Sequence, residues 1–373
     1  MARAPVTTDI EALPEADRLE GFPHPRETEA LYGQTAAENT LSNALASGKM
    51  HHAWLVTGEE GIGKATLCYR AAGAILARPD ERGMFASGLD IERGSTTARQ
   101  IIARSHPGLI VIRRPYDTKG KRFSSTIPVD EVRRLRSFLS LSAGEQGWRV
   151  VIVDSADELN INAANALLKS LEEPPPNTVF LIVSSAPGRL LATIRSRCRT
   201  LPLEPLDGDN LRKAAQAALA AADKPPLNED DFANLEGLAK GSPRRLLALM
   251  EGGGLALQAR IDKIFANLPA LDIAGAHAIA DDLQPAAQEQ KFELFYDLFF
   301  DQLNRLVRAG VTGEGRSGDI AAAKRLMGAG KLATYAQLWE TLLRDKADAA
   351  ALNLDRKSLI LDTLSRLEAA ARG

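Results

Sequence analysis

The residues best suited to chemistry lie in a glycine-rich loop, GEEGIGKAT, at positions 58–66. An apolar run, His52–Thr57, precedes the loop and a helical pattern follows it, which is the context of a phosphate-binding site. Lys64 would supply a positive charge at the start of that helix. Three glycines would allow backbone N–H groups to surround phosphate oxygens: Gly58, Gly61 and Gly63. The loop therefore predicts a site for nucleotide phosphates, with Thr66 at its end.

A second group of candidate residues lies between positions 150 and 198. Val150–Val153 predicts a buried parallel strand, and Val179–Val183 predicts another, with an amphipathic helix between them that ends at Pro174. Ligands of parallel sheets bind at the carboxyl ends of the strands. Three polar residues directly follow the two strands: Asp154, Ser184 and Ser185. This layout is typical of a nucleotide site.

The same stretch resembles the AAA+ module of bacterial clamp-loader subunits. Three pieces carry the resemblance, in the family's order: DSADELN from Asp154, NALLKSLEEPP from Asn165, and TIRSRC ending at Cys198. The resemblance implies an α/β fold, in which an AAA+ P-loop domain with a parallel sheet is followed by a small helical lid and an all-α collar domain.

The resemblance also implies roles for individual residues. The arginine of the SRC motif reaches into the ATP site of a neighbouring subunit in this family, which assigns that role to Arg197 between Ser196 and Cys198. Arg244, at the start of a helix in the predicted lid, matches the second sensor arginine that contacts nucleotide. A surface arginine at either position is the simpler alternative.

Two departures from the family pattern predict that this chain does not hydrolyse ATP. Ala65 stands where a hydroxyl should ligate Mg²⁺, and Thr66 comes one residue too late. Hydrolysing relatives follow the strand-end aspartate with a glutamate, whereas this chain has Ser155, and Glu158 lies about one helical turn away. Phosphoryl transfer depends on metal charge and an oriented nucleophile. We therefore expect either a degenerate site for ATP or ADP or a relic that binds nothing.

The chain is expected to contain four parts. Residues 1–27 form a mobile, acidic, proline-containing arm, and residues 28–205 form the AAA+ nucleotide-binding-like domain. Residues 206–251 form the helical lid, with Asp209 as a candidate N-cap. The glycine run at 251–254 is the predicted linker to the helical collar at 255–373, through which subunits would assemble.

Composition narrows the class of protein. The chain has 373 residues, enough for two or three domains, with 45% hydrophobic and 25% charged residues as in soluble globular proteins. Its net charge of −2 gives no general attraction to DNA. We expect no membrane span and no signal peptide. Only two cysteines occur, Cys68 and Cys198, which fits the reducing cytoplasm.

Two segments of the predicted AAA+ domain have special features. Clamp-loader chains often carry a four-cysteine zinc module where this chain has the polar, irregular stretch 79–106, and this stretch has no cysteine, so we expect no zinc. A basic, hairpin-like excursion follows the predicted strand Leu109–Ile112. It is either a solvated loop or a contact with the DNA backbone, and its cations are Arg113, Arg114, Lys119, Lys121 and Arg122.

The resemblance implies a component of the DNA polymerase III holoenzyme with little or no catalytic activity of its own. We expect a non-hydrolysing clamp-loader subunit that acts as a fixed wall and assembles with tau or gamma and delta subunits. Primed DNA and the sliding clamp would be reached through the complex. The alternatives are an ATP-hydrolysing motor subunit resembling tau or gamma, and an unrelated P-loop regulator.

Overall fold

The computed structural model describes residues 13–82, 88–120, 122–140, 147–285, 288–315, 317–327, 330–352 and 354–372. The chain divides into two compact units, Met1–Arg245 and Leu246–Gly373. This division falls within a helix, Pro243–Glu251, and not at the glycine run predicted as the linker. Helical structure continues to Glu251 and resumes at Gly254, so only two residues separate the helices.

The first unit contains a five-stranded parallel sheet, as the sequence predicts. Its strand order is β2–β5–β6–β1–β7, and a separate two-stranded hairpin consists of β3 and β4. The seven strands are β1 (Ala53–Thr57), β2 (Leu109–Ile112), β3 (Tyr116–Asp117), β4 (Arg122–Phe123), β5 (Arg149–Val153), β6 (Thr178–Ser184) and β7 (Arg199–Pro202). The sequence did not predict β7, which is a short edge strand with only one buried residue, Leu201.

Helices cover both faces of the sheet. The helices of this part are α1 (Thr35–Ala46), α2 (Lys64–Leu76), α3 (Thr96–Ile102), α4 (Val129–Ser140), α5 (Ile161–Glu172) and α6 (Ala192–Arg195). Alternate residues of each strand enter opposite cores: Trp54 and Val56 pack on the side of α1 and α2, and Leu55 on the side of α4 and α5. The near-continuous apolar runs of the strands follow from this burial on both faces.

The stretch predicted to be irregular contains ordered structure. Helix α3 begins after Ser95, whose side chain accepts a hydrogen bond from the backbone N–H of Ala98. Glu81, in a 3₁₀ turn, is buried and accepts hydrogen bonds from the backbone and the hydroxyl of Thr97. These interactions are between polar groups, so the hydrophobic periodicity of the sequence could not predict them.

The N-terminal segment, which we define as residues 13–33, packs against the sheet domain and does not stand free as the predicted mobile arm would. Phe22 and His24 are buried, with His24 edge-on to the ring of Tyr69 on α2 at 5.6 Å between centroids. Just beyond the segment, Gln34 donates through Nε2 to two backbone oxygens, those of Ile62 at 3.2 Å and Glu204 at 2.8 Å.

Three helices follow the sheet, as the sequence predicts for the lid: α7 (Gly208–Ala221), α8 (Glu229–Ala239) and α9 (Pro243–Glu251). The N-cap of α7 is Asp207 and not Asp209, because the Asp207 carboxylate accepts the backbone N–H of Asn210. Asp209 lies within the first helical turn instead.

All of the regular secondary structure in the described residues of the second unit is helical. Its further helices are α10 (Gly254–Asn267), α11 (Ile273–Leu283), α12 (Glu289–Thr312), α13 (Ser317–Met327), α14 (Leu332–Leu352) and α15 (Arg356–Arg372). The predicted apolar stripes are confirmed by burial of Phe292, Phe295, Phe299, Leu303 and Leu306 on α12 and of Ile360, Leu364 and Leu367 on α15. In the part of the chain that the structure describes, no helix is both long and apolar enough to cross a membrane.

Candidate functional site

The glycine-rich loop connects β1 to α2 as predicted, and it closes around its own lysine. Lys64 is the first residue of α2 and is buried. Its Nζ donates to the backbone oxygen of Gly58 at 2.7 Å and to that of Glu59. Burial lowers the pKa of Lys64. The cation that would hold a phosphate is thus engaged by carbonyl groups of the loop.

The three loop glycines have the backbone conformations for which their residue type is needed. Gly58, Gly61 and Gly63 have φ of 138°, 78° and 104°, a region that side chains disfavour. A methyl group on Gly61 would overlap Ser242 and Arg244, and one on Gly63 would lie 2.6 Å from Leu31 Cδ1. The loop is therefore covered closely by the start of α9 and by the N-terminal segment.

The carboxyl ends of β5 and β6 bring the predicted strand-end residues beside the loop. Thr57 of β1 pairs with Ser184, which is fully buried. The backbone N–H of Ser185 donates to the Asp157 carboxylate at 3.0 Å. Asp154 is buried at the end of β5. We call loop 58–66 and these strand ends the nucleotide corner.

Asp154 is engaged by a residue that the sequence analysis did not single out, Asp17 of the N-terminal segment. Burial, and then the charge and hydrogen bond of Asp17, raise the pKa of Asp154 to about 7. Burial opposes ionisation of Asp17 too, but the hydrogen bond from His24 and the charge of Arg113 lower its pKa below the usual range. Of the two carboxyl groups, that of Asp154 therefore binds a proton far more readily than that of Asp17.

The surroundings of Asp17 form a buried ionic network. His24 Nε2 lies 2.7 Å from Asp17 Oδ2, and its Nδ1 accepts the backbone N–H of Arg26, which fixes the neutral tautomer. Arg113, just after β2, pairs with Asp17 at 2.5 Å and with Glu15. Glu15 also receives Arg26 through two 2.8 Å hydrogen bonds. Burial disfavours the Glu15 carboxylate, but the hydrogen bonds from Arg26 and Arg113 lower its pKa to about 2.

Arg244, the predicted sensor arginine, contacts the N-terminal segment. Its Nη1 donates to the backbone oxygen of Asp17 at 3.0 Å, and its Nε lies 3.6 Å from the carboxylate of Glu60 in the loop. Its own backbone N–H is 3.4 Å from the oxygen of Gly61. The structure thus brings Arg244 to the predicted corner.

The residues nearest to the positions of the missing metal ligand and general base have other surroundings in this structure. Thr66 is buried in the first turn of α2, one position beyond Ala65. Ser155 adopts a left-handed conformation with φ of 55° and begins a 3₁₀ turn. Glu158, at the end of that turn, pairs with Arg114 at 2.7 Å, and burial raises its pKa to about 7. Glu158 is therefore held by a structural ion pair.

The SRC turn, Ser196–Cys198, lies between α6 and β7 and holds Arg197 at the surface. The Arg197 side chain is 34% exposed, and its Nη2 contacts Glu172 of α5 at 2.7 Å. Its Nη1 donates to the backbone oxygen of Thr193 at 2.8 Å. Burial raises the pKa of the Cys198 thiol to about 11, so Cys198 packs as a neutral side chain. Among the described residues, these contacts of Arg197 include none with the nucleotide corner.

The basic excursion is a short hairpin, β3 and β4, in which Tyr116 packs edge-on to Phe123 at 5.1 Å. Two of its predicted cations point to internal carboxylates, because Arg113 joins the Asp17 network and Arg114 joins Glu158. Lys119 and Arg122 are exposed, and Lys121 lies outside the described residues.

Comparison with known proteins gives matches among DNA polymerase III subunits. Residues 33–207 match the family model described as DNA polymerase III, delta subunit. A DNA polymerase III subunit delta' of Pseudomonas aeruginosa is 38% identical over 164 residues, which is 43% of this chain and 46% of the relative. Over residues 33–207, the chain is thus similar to DNA polymerase III clamp-loader subunits.

Other DNA polymerase III subunits match over longer stretches. The delta' subunit of Escherichia coli is 32% identical over 213 residues, covering 57% of this chain and 58% of that one. The Escherichia coli tau subunit is 29% identical over 236 residues, covering 59% and 32%. The chain thus spans between about a third and three fifths of these curated relatives. A solved gamma-subunit-related protein of Thermotoga maritima aligns with 90% of this chain and 100% of its own at 17% identity, with a TM-score of 0.43.

Proposed function

We propose that this chain is a delta'-type subunit of the DNA polymerase III clamp loader that does not hydrolyse ATP. It supplies Arg197 in trans to the ATP site of a neighbouring subunit, where a guanidinium stabilises the charge of phosphoryl transfer. The observation that carries the proposal is the position of Arg197, which is surface-exposed and oriented by Glu172 and Thr193.

The nucleotide corner supports the non-hydrolysing half of the proposal. Lys64 bonds to loop carbonyl groups, burial and Asp17 raise the pKa of Asp154, and Glu158 is paired with Arg114. Ala65 and Ser155 provide neither the hydroxyl nor the carboxylate of a hydrolysing site. The alternative, a motor subunit resembling tau or gamma, would need these groups free and present.

A subunit without its own nucleotide cycle would change shape little while its neighbours turn over ATP. We infer that it acts as a fixed wall, with tau or gamma and delta subunits as its partners through the helical second unit. Primed DNA and the sliding clamp are reached through the complex, in the cytoplasm. Lys119 and Arg122 are exposed on the hairpin, so these two cations are accessible to a DNA backbone.

The test is Arg197→Ala in a loader reconstituted with tau or gamma and delta subunits. An arginine finger contributes about 10³–10⁵-fold at its own site, and ATP sites that Arg197 does not reach will dilute that loss. We expect DNA-stimulated ATPase to fall by at least about twofold. Size-exclusion chromatography should show unchanged assembly.

Arg195→Ala is the matched control, because Arg195 is exposed at the end of α6, two residues from Arg197. It should leave the ATPase unchanged. Equal activity of the Arg197→Ala loader and the unmodified loader would reject the role in trans. Rapid hydrolysis of Mg²⁺-ATP by the isolated chain would instead favour the motor alternative.

A further inference from the structure

The N-terminal segment lies on the groups that a nucleotide would need. The charge of Asp17 acts on the buried Asp154, and the backbone oxygen of Asp17 accepts a hydrogen bond from Arg244 at 3.0 Å. Leu31 lies against Gly63, the residue that precedes α2. We propose that the N-terminal segment is the resident occupant of the nucleotide corner and excludes nucleotide while it is docked.

The segment brings its own negative charge to the corner. A nucleotide would present phosphates to the cations there, but Asp17 and Glu15 already provide two carboxylates. Arg113 pairs with both, and Arg26 binds Glu15 through two hydrogen bonds. Charge-assisted hydrogen bonds of this kind are about twice as strong as neutral ones. The cations beside the corner are thus neutralised by the chain itself.

Apolar and aromatic contacts anchor the segment on both sides of the corner. His24 is fully buried against Tyr69 of α2. Phe22 is 5% exposed, and Lys224, just beyond α7, lies 4.7 Å from the centre of its ring. Displacing the segment would expose these rings and leave the carboxylates without their partners. Docking is therefore the favoured state, and a nucleotide would have to compete with it.

The hydrogen bonds of the glycine-rich loop fit this occupant. Lys64 donates to Gly58 and Glu59 instead of extending toward a ligand. Ser242 donates to the backbone oxygen of Glu60 at 2.8 Å, which holds the start of α9 on the loop. The inference rests on the proposal that this corner derives from a nucleotide site, and it is independent of the role of Arg197.

The test uses the full chain with its missing groups restored by Ala65→Ser and Ser155→Glu. In that background, Glu15→Ala with Asp17→Ala removes the segment's two buried carboxylates. Titration calorimetry with Mg²⁺-ATP should show at least about tenfold tighter binding after release, because apparent affinity scales with the fraction of binding-competent protein. Asp209→Ala with Asp230→Ala, at exposed positions of α7 and α8, removes the same charge and should leave affinity unchanged.

The proposal would be overturned if the restored chain bound ATP with equal affinity with and without Glu15→Ala and Asp17→Ala. It would also be overturned if the folded chain carrying these two substitutions bound no ATP. Circular dichroism establishes folding in each case. A second measurement needs no substitution: hydrogen exchange of the unmodified chain should show slowed amides at Arg18, Phe22 and Glu27, which donate to Glu15, Leu19 and His24 oxygens. Exchange at the rate of an unstructured peptide would equally overturn docking.

These outcomes are separable from those of the proposed function. Failure of the segment to exclude nucleotide would appear in binding experiments on the isolated chain. Failure of the role in trans would appear only in the ATPase of the assembled loader, through Arg197→Ala. Each result can therefore be negative while the other is positive.

Discussion

The nucleotide corner and the SRC turn both carry the residue types of their family, but they use charge in opposite ways. At the corner, Asp154 is buried, and the side chains of Arg113 and Asp17, which are 16% and 6% exposed, pair with each other. At the turn, Arg197 remains one third exposed, with a single carboxylate partner that is itself 48% exposed. A charge that is satisfied inside a domain is not free for a ligand, whereas a charge held at the surface remains accessible. The difference is what the proposed function requires of a chain that does not hydrolyse ATP itself and supplies an arginine to another subunit.

The largest loss of stability is expected for a substitution in the ionic network beside the nucleotide corner. Arg113→Ala would leave Asp17 and Glu15 buried without their shared cation, and breaking a buried ion pair from one side costs about 3–5 kcal/mol. Thermal unfolding of the first unit, followed by calorimetry, should shift to clearly lower temperature. Lys119→Ala on the exposed hairpin is the control and should change stability by less than about 0.5 kcal/mol. Equal effects of the two substitutions would contradict the buried network.

The second prediction uses pH to sharpen the description of the corner. Because the pKa of Asp154 is raised from 3.8 to about 7 in the folded chain, its stabilising contribution is complete below pH 4 and is lost as pH rises through 7. Asp154→Asn keeps a donor for Asp17 but cannot titrate. The stability of the unmodified chain relative to this variant should therefore fall between pH 4 and pH 7, by up to about 1.4 kcal/mol per pH unit.

The measurement is the melting temperature of both proteins at four pH values across that window. The charged groups that act on Asp154 are Asp17, Arg113 and Glu158. Glu158 also has a pKa raised by burial to about 7, so Glu158→Gln should be combined with both proteins to remove its titration. Parallel pH profiles of the unmodified and Asp154→Asn chains would contradict the protonated pair.

The smallest effect belongs to the SRC turn. Glu172→Gln removes the ion pair with Arg197, but exposed pairs contribute only about 0–1 kcal/mol, so the melting temperature should hardly change. In the reconstituted loader, the freed guanidinium would lose its orientation, and we expect a modest fall in DNA-stimulated ATPase. A stability loss as large as that of Arg113→Ala would show that the two regions do not differ as described.

Much of the fold followed from the sequence, because apolar runs and helical periodicity report burial directly. Strands β1, β2, β5 and β6 lie within one residue of their predicted bounds, and the stripe on α12 is confirmed. Helix α3 escaped prediction because a polar cap and a buried carboxylate, Glu81, stabilise it. Strand β7 escaped because an edge strand buries few residues.

The residues of the candidate site were likewise predicted only in part from the sequence. Local motifs indicated the loop, Asp154, Ser184, Ser185 and the SRC turn, because each is encoded by neighbouring residues. The contribution of Asp17 and His24 depends on contacts with residues about 90 to 230 positions later along the chain, such as Arg113 and Arg244. Proline and charge in that region predicted a free arm, since no local pattern reveals an ion pair that forms only in the folded state.

Gln34 has a mechanical consequence. Its side-chain amide carries two hydrogens, and the structure uses them to join Ile62 in the glycine-rich loop to Glu204 in the connection that leaves β7. Moving Glu204 away from the loop would break at least one of these bonds. The connection is thereby braced against the glycine-rich loop, as a rigid subunit of the proposed assembly would require.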